Sequence, residues 1–280
     1  MLQSVTDEGI VAAAPLTLLL RRYAETGRSD ISDAVGQSLA AALDQCEIEP
    51  SGRNGADWLI LFLEASGVSE DARLIAAARR LAASLMSAWP SSGEVGPAMR
   101  VIEACLAAAE FFGDEAVPAR TVDELERVIG LAYTPGQGLS RSLSKTSDQS
   151  GGLIEHLAGV SALLTAYALT RRLPYSMLAE DLMQFARHSW WDDAVGRFRS
   201  TDRGTSNVAF LANCGAARVL CRLAALHSDA GYRQAAVIAA ESDYARDACR
   251  TLQSLHDGYR GAGIDAAMYG LALIEYDALL

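Results

Sequence analysis

The sequence predicts an all-α fold in which antiparallel helical hairpins repeat around a solenoid or closed ring, and three observations predict it. Half of the 280 residues are apolar, Ala and Leu dominate, and β-branched runs are scarce, a balance that favours helix. Connections alternate between tight turns and long polar loops. A hairpin layout also recurs: SALLTAYALTRRLPYSMLAEDLMQFA and ARVLCRLAALHSDAGYRQAAVIAAES each run from an Ala/Leu-rich helix through a short turn to a tyrosine (Tyr175, Tyr232) and a second Ala-rich helix. Looser copies surround Tyr23, Glu64 and Phe111, and first helices recur about every 42 to 55 residues, as in helical-repeat arrays.

Eleven helices are expected, at 8–25, 30–46, 55–66, 70–88, 97–112, 119–132, 152–170, 175–189, 207–227, 231–254 and 262–279. Leu153, Ile154, Leu157, Val160, Ser161, Leu164, Tyr167 and Ala168 keep the spacing of one buried helix face. Pro97 and Pro118 stand at or near helix starts, where a missing N–H costs little. Gly27, Gly67 and Gly113 stand just past helix ends, where a left-handed cap favours glycine.

Short turns fall at 26–29, 67–69, 113–115, 171–174 and 228–231, and long loops at 47–55, 89–97, 132–151, 190–206 and 255–262. In antiparallel order every short turn lies on one rim and every long loop on the other, so function belongs on the long-loop rim. The first helix of each pair has fewer charges and is the inner one; the second is the outer. No linker or low-complexity stretch divides the chain, so one domain is expected over 1–280.

Composition narrows the function classes. A formal charge of −11 and a pI near 4.8 argue against general nucleic-acid binding and against a basic membrane-surface role. The five cysteines form no C-x-x-C pair and mostly sit in apolar helical patterns, where a thiol acts as a small hydrophobe. Cys214 and Cys221 are seven apart without histidine at ligand spacing, so neither a metal nor a cofactor is expected. Asp7 and Glu8 do not fit a signal peptide, and no apolar run is read as reaching the roughly 18 to 20 residues of a bilayer span. A reduced cytoplasmic protein is the expectation.

Several stretches resemble a known group. Asp148-Gln149 ahead of LIEHLAGVSALLTAYALT, the loop SWWDDAVGRFRS with its W-D-x-x-x-G-x-F pattern, Asn207, the RVLCRLAAL helix with Tyr232, and the ending AGIDAAMYGLALIEYDALL carry the likeness. Together they resemble the (α/α)6 toroids of the six-hairpin glycosidase-like group. The likeness is nearest to the helical region of YyaL-type thioredoxin-domain proteins and to N-acylglucosamine 2-epimerase-like proteins. It is good over 145–280 and only a repeat pattern before that. It implies a toroid of helical hairpins with a carbohydrate-related pocket. Three features depart from it: no thioredoxin-like domain or C-x-x-C precedes the helices, the W-D-x-x-x-G-x-F loop lacks the usual glycine run, and eleven helices are one short of six hairpins, leaving the ring incomplete or closed by an irregular segment.

In such a ring the inner-helix N-termini converge on the long-loop rim with unpaired N–H groups and partial positive charge, favouring an anionic or polyhydroxylated ligand. The long loops add Arg53, Arg141, Lys145, Arg197, Arg199, Arg203 and Arg260; the plainer reading pairs these with Asp192, Asp193, Asp202 and Asp257 on a solvated surface. Glycosyl chemistry needs one protonated acid and one ionised partner, which makes Glu155, Asp148, Asp192 and Asp202 the candidate catalysts. For Glu155 the competing role is a first-turn acid answering the helix dipole, and for Asp148 an N-cap. Candidate binding residues are Trp58, Trp190, Trp191 and Tyr259 for stacking, and His156, Arg197, Asn207 and Asp265 for polar contacts.

Three functions are open on these grounds. The first is a carbohydrate-processing enzyme, hydrolase- or epimerase-like, acting on a small anionic or saccharide ligand. The second is a non-catalytic binding ring, with a filled centre and rim acids paired to arginine. The third is a terpene-cyclase-like pocket, dry and aromatic, hinted at by QSLHDGYRG but lacking the D-x-D-D signature. Nucleotide-binding, zinc-protease and serine-hydrolase motifs are absent.

Overall fold

Gly27 and Gly113 adopt φ of 63° and 61°, and each donates its N–H back to the preceding turn, to the carbonyls of Tyr23 and Ala109. These left-handed caps end two helices and reverse the chain, as the short turns require. The computed structural model describes residues 12–48, 54–69, 71–87, 93–113, 116–144, 149–199, 206–235 and 238–280. In chain order the helices are α1 (Ala13–Thr26), α2 (Ser29–Ile48), α3 (Gly55–Ser66), α4 (Ala72–Ser87), α5 (Val95–Phe112), α6 (Ala116–Ala132), α7 (Leu153–Thr170), α8 (Leu173–Trp190), α9 (Ser206–Ser228), α10 (Ala230–Ala235), α11 (Tyr244–Leu255) and α12 (Ala266–Asp277).

Packing runs α1–α3–α5–α7–α9–α12 and back to α1, so six inner helices close a ring. Helices α2, α4, α6, α8 and α11 each pack outside the inner helix that precedes them. The ring is therefore complete, contrary to the possibility of an open one. Closure depends on a close approach between the last inner helix and the first: a Cβ at Gly270 would lie 2.7 Å from Leu18 Cδ2. The apolar core fills the space between the two layers, with Leu16, Leu59, Phe62, Met99, Leu106 and Leu182 fully buried.

Four details depart from the expected elements. The helix expected at 231–254 breaks into α10 and α11. Between them the Ala239 N–H donates to Glu180 Oε2 at 3.1 Å, and Asp243 caps α11 by accepting the Arg246 N–H at 2.9 Å. Those side-chain acceptors compete with the carbonyls that a continuous helix would offer the same N–H groups. Likewise 259–265 forms two 3-10 turns with Gly263 at φ 56°, and α12 begins only at Ala266.

Two short hairpins were not anticipated: β1 (Tyr133–Thr134) with β2 (Gly138–Leu139), and β3 (Trp191–Asp192) with β4 (Arg197–Phe198). Two-residue strands are too short to leave a period in the sequence. Finally, Leu153–Thr170 and Asn207–Ser228 are long and apolar enough to cross a bilayer, correcting the expectation that nothing was. Both are inner helices of the ring and mostly buried within it, which accounts for their apolarity.

Candidate functional site

Both hairpins follow an outer helix on the long-loop rim, and each is pinned to the next inner helix by one polar side chain. In the first, the Leu139 N–H donates to His156 Nε2 at 2.9 Å, while His156 Nδ1 lies 2.7 Å from the Gly152 carbonyl. An acceptor Nε2 and a donor Nδ1 define one neutral tautomer, and burial lowers the His156 pKa in agreement. The imidazole is fully buried, stacked on Phe185 and met edge-on by Trp190. Gly138 has φ 72°, and a Cβ there would fall 2.1 Å from His156 Nε2. This hairpin is sealed.

In the second hairpin the pin is Asn213, 2 % exposed on α9. Its Oδ1 accepts the Phe198 N–H at 2.9 Å, and its Nδ2 donates to the carbonyls of Phe198 at 3.0 Å and Ala209 at 2.9 Å. The amide thus gives β4 both bonds that a neighbouring strand would supply. This hairpin borders a half-open cavity of about 850 Å³ between β3–β4, the first turns of α9 and the segment 254–262. Its polar wall presents Asp192, Asp257, Arg197, Arg199 and Asn207; its apolar wall presents Val195, Phe210 and Leu255. Arg197 and, just past the end of β4, Arg199 flank buried Phe198, and both arginines are exposed. The Asp192 carboxylate accepts the N–H groups of Ala194 and Val195 at 3.1 and 3.2 Å, which orders the turn beside the cavity.

The ring interior carries a second polar assembly that the sequence reading did not identify. Arg21 on α1 spans Glu64 on α3 at 2.7 Å and Glu275 on α12 at 3.0 Å. Arg218 on α9 meets Glu275 at 2.7 Å. Arg222 reaches past α7 to Glu103 on α5 at 3.1 Å, and bonds Ser161 and Thr165 on the way. Arg21, Glu64 and Glu103 lie eight or nine residues along their helices, about 12–14 Å below the rim. Burial alone would raise the Glu275 carboxyl, but Arg218 and Arg21 hold it below the usual carboxylate range. One signal was legible: these charges interrupt inner helices that are otherwise Ala- and Leu-rich.

The remaining candidates separate by position. Glu155 lies at the rim, but its Oε2 accepts the Gly152 N–H at 2.7 Å, the reach-back of a helix-capping glutamate, and Arg141 lies 3.7 Å from its Oε1. His156 has both ring nitrogens engaged. Trp58 is buried on α3 and stacked with Phe62. Trp190 packs on His156 and Phe185, and the guanidinium groups of Arg187 and Arg250 lie 5.9 and 5.5 Å from the centroid of the Trp191 ring. His156, Trp58, Trp190 and Trp191 thus take part in the packing of the ring and its hairpins. Tyr259 stacks on Tyr269 with centroids 5.3 Å apart. Asn207 donates to Asp265 at 2.5 Å, linking the starts of α9 and α12 across the rim. Asp192, Arg197 and Asn207 do come together, at the cavity. Asp148 and Asp202, with Arg53, Lys145 and Arg203, lie outside the described residues. Sequence reading assigned no site role to Asn213 and placed Asp257 only as an arginine partner.

Of the rim acids expected to pair with loop arginines, Asp193 is held instead by Arg250 Nη1 of α11, at 2.7 Å. Among the described residues no cluster of three or more His, Cys, Asp or Glu could hold a metal ion.

No protein-family model and no curated protein matches the chain. Solved structures do. An unsaturated glucuronyl hydrolase from Bacillus sp. GL1 superposes with a TM-score of 0.68 at 13 % identity, over 89 % of this chain and 74 % of that one. An α-1,6-mannanase of Salegentibacter sp. HEL1_6, solved as an inactive variant with α-1,6-mannotriose, gives 0.64 at 14 % identity, over 95 % and 88 %. The Lin0763 protein from Listeria innocua gives 0.69 at 11 % identity, over 96 % and 85 %. At such identity the likeness shows architecture alone. The fold is the six-hairpin (α/α)6 toroid, an architecture in which the first two of these relatives are carbohydrate-processing glycoside hydrolases.

Proposed function

We propose that this chain is a carbohydrate-processing toroid that takes a small acidic saccharide into the rim cavity beside the β3–β4 hairpin. The observation that carries this reading is the lining of that cavity, which brings two carboxylates, two arginines and two amides together with apolar side chains. Sugars present hydroxyls at their edges and C–H faces above and below, and this wall offers partners for both. Arg197 and Arg199 suit a carboxylate or sulfate, since guanidinium groups bind planar oxyanions through paired N–H bonds. We assign Asp192 and Asp257, the two carboxylates lining this cavity, to acid and base work, because glycosyl chemistry needs a pair of carboxylates. Glu155 is assigned to holding α7, not to the reaction.

The test is a turnover screen against unsaturated glucuronyl disaccharides and α-1,6-linked manno-oligosaccharides, read by reducing-end release. Asp257→Asn is expected to lower kcat at least about 100-fold, the scale of losing a general acid or base. Asp192→Asn should do the same while keeping the turn, because an amide oxygen still accepts both N–H bonds. Glu155→Gln should retain turnover. Activity that survives both aspartate changes and disappears with Glu155→Gln would move the site to the first hairpin.

One observation favours a second reading, a ring that binds without catalysis. The inner carboxylates Glu64, Glu103 and Glu275 all hold arginines, as a ring without reaction chemistry would. Saturable saccharide binding with no product in the screen would select it. A dry terpene-cyclase-like interior fits poorly, since the interior is lined by ion pairs.

A further inference from the structure

The two hairpins share one layout. Each begins at the end of an outer helix, and each has a first residue, Tyr133 or Trp191, paired with a last residue, Leu139 or Phe198, that is 1 % exposed. In each, that last residue gives its backbone N–H to a side chain on the next inner helix. The residue just before it is Gly138 in one case and Arg197 in the other, paired across the strand with Thr134 and Asp192 respectively. At Gly138 the His156 ring stands where a side chain would begin. At Arg197 the pin is the smaller Asn213, set eight residues into α9 instead of four into α7, and the strand side is open to the cavity.

From this we infer that Asn213 is the positioning residue of the cavity: its amide fixes β4 so that Arg197 and Arg199 face the ligand. The inference rests on the acidic-saccharide reading for what is bound, but not for how β4 is held. Asn213 also lines the cavity, but its amide is engaged by the Phe198 and Ala209 backbone, so its part is to hold β4. It accepts from Phe198 N and donates to Phe198 O, and so sets which strand side faces the cavity at the residue between the two arginines. A slip of β4 by one residue would exchange the arginines for Phe198 on the exposed side. An amide suits the task because it is uncharged and carries donor and acceptor together; a carboxylate would face two carbonyls, and an aliphatic residue would leave both Phe198 groups without the bond.

The experiment combines amide hydrogen exchange with glucuronate titration, on the wild type, Asn213→Ala, Arg197→Ala and the double variant. In Asn213→Ala, the amides of 191–199 should exchange at least about 10-fold faster, while those of 133–141 keep their rates. Glucuronate affinity should fall at least about 5-fold in Asn213→Ala and in Arg197→Ala, and the double variant should bind no more weakly than the weaker single. Should Asn213→Ala fail to fold, Asn213→Asp keeps the acceptor, loses the donor and should show the same pattern.

Unchanged exchange at 191–199 overturns the inference. Faster exchange with full glucuronate affinity, or losses that multiply in the double variant, confines Asn213 to fold stability and also overturns it. Wild-type protein that ignores glucuronate sinks the acidic-saccharide reading instead, and the exchange measurement still decides whether Asn213 holds β4.

Discussion

The β1–β2 and β3–β4 hairpins are built alike and do opposite things. The first is shut by an imidazole with both nitrogens engaged, a glycine with no room for a side chain, and two aromatic rings. The second is held by an amide and keeps one side of its strand open to a cavity lined by acids and arginines. A hairpin at this rim thus becomes a site or a plug according to the size and depth of its pin. A large ring in the first turn of the inner helix fills the space above the strand. A small amide one turn deeper leaves it open.

Glycine substitution is the strongest way to break that comparison. Gly138→Ala combines a left-handed backbone with a contact of 2.1 Å, and is expected to cost at least about 3 kcal/mol in urea unfolding. Gly196→Ala in the second hairpin, at φ 77°, meets Arg250 Cβ at 3.1 Å and should cost only about 1–2 kcal/mol. Equal costs would mean that the second hairpin is as tightly sealed as the first.

His156 gives the next largest effect. His156→Ala leaves the buried Leu139 N–H without its acceptor and empties a ring-sized space, for a loss of about 3 kcal/mol. The histidine also brings a pH dependence. Burial lowers its folded pKa below the ordinary 6.5, so the unfolded chain takes up a proton before the folded one does. Stability is therefore full above about pH 6.5 and falls as the pH drops from there towards the folded pKa. His156→Gln should remove that part of the pH dependence. A wild-type and variant pair with parallel stability curves between pH 7 and 5 would contradict the neutral-imidazole assignment.

Smaller again is the ring interior. Arg222→Met removes the guanidinium that joins α9 to Glu103, Ser161 and Thr165, with side chains about a third exposed or less. Part of its Coulomb energy is screened, so about 1–2 kcal/mol is expected in thermal or urea unfolding. Raising the salt concentration should narrow the gap between the variant and wild type.

Much of the architecture was legible before any coordinates. Gly27 and Gly113 marked helix ends because a left-handed cap favours glycine, whereas Gly67 ends its helix with a right-handed backbone at φ −77°; low charge marked the inner helices because an outer layer packs over them. The long-loop rim was legible for the same topological reason, and three of its candidates, Asp192, Arg197 and Asn207, share the cavity. What stayed hidden depends on contacts distant in sequence. His156 reads as a polar contact to ligand until Leu139 and Gly152 claim its two nitrogens, and Trp191 reads as a sugar platform until Arg187 and Arg250 are found beside its ring. Asn213 looks like an unremarkable polar residue within an apolar helix, because the backbone it serves lies 15 residues earlier. The 231–254 break escaped notice because Glu180, on another helix, supplies the competing acceptor.

The most direct test is an amide chemical-shift map of the labelled protein titrated with glucuronate. This account predicts saturable shifts concentrated at 192–199, 207–213 and 255–262, with the segment 139–156 quiet. Shifts gathered around Glu155 and His156, or around Glu103, Ser161 and Arg222 in the ring interior, with 192–199 silent, would contradict it.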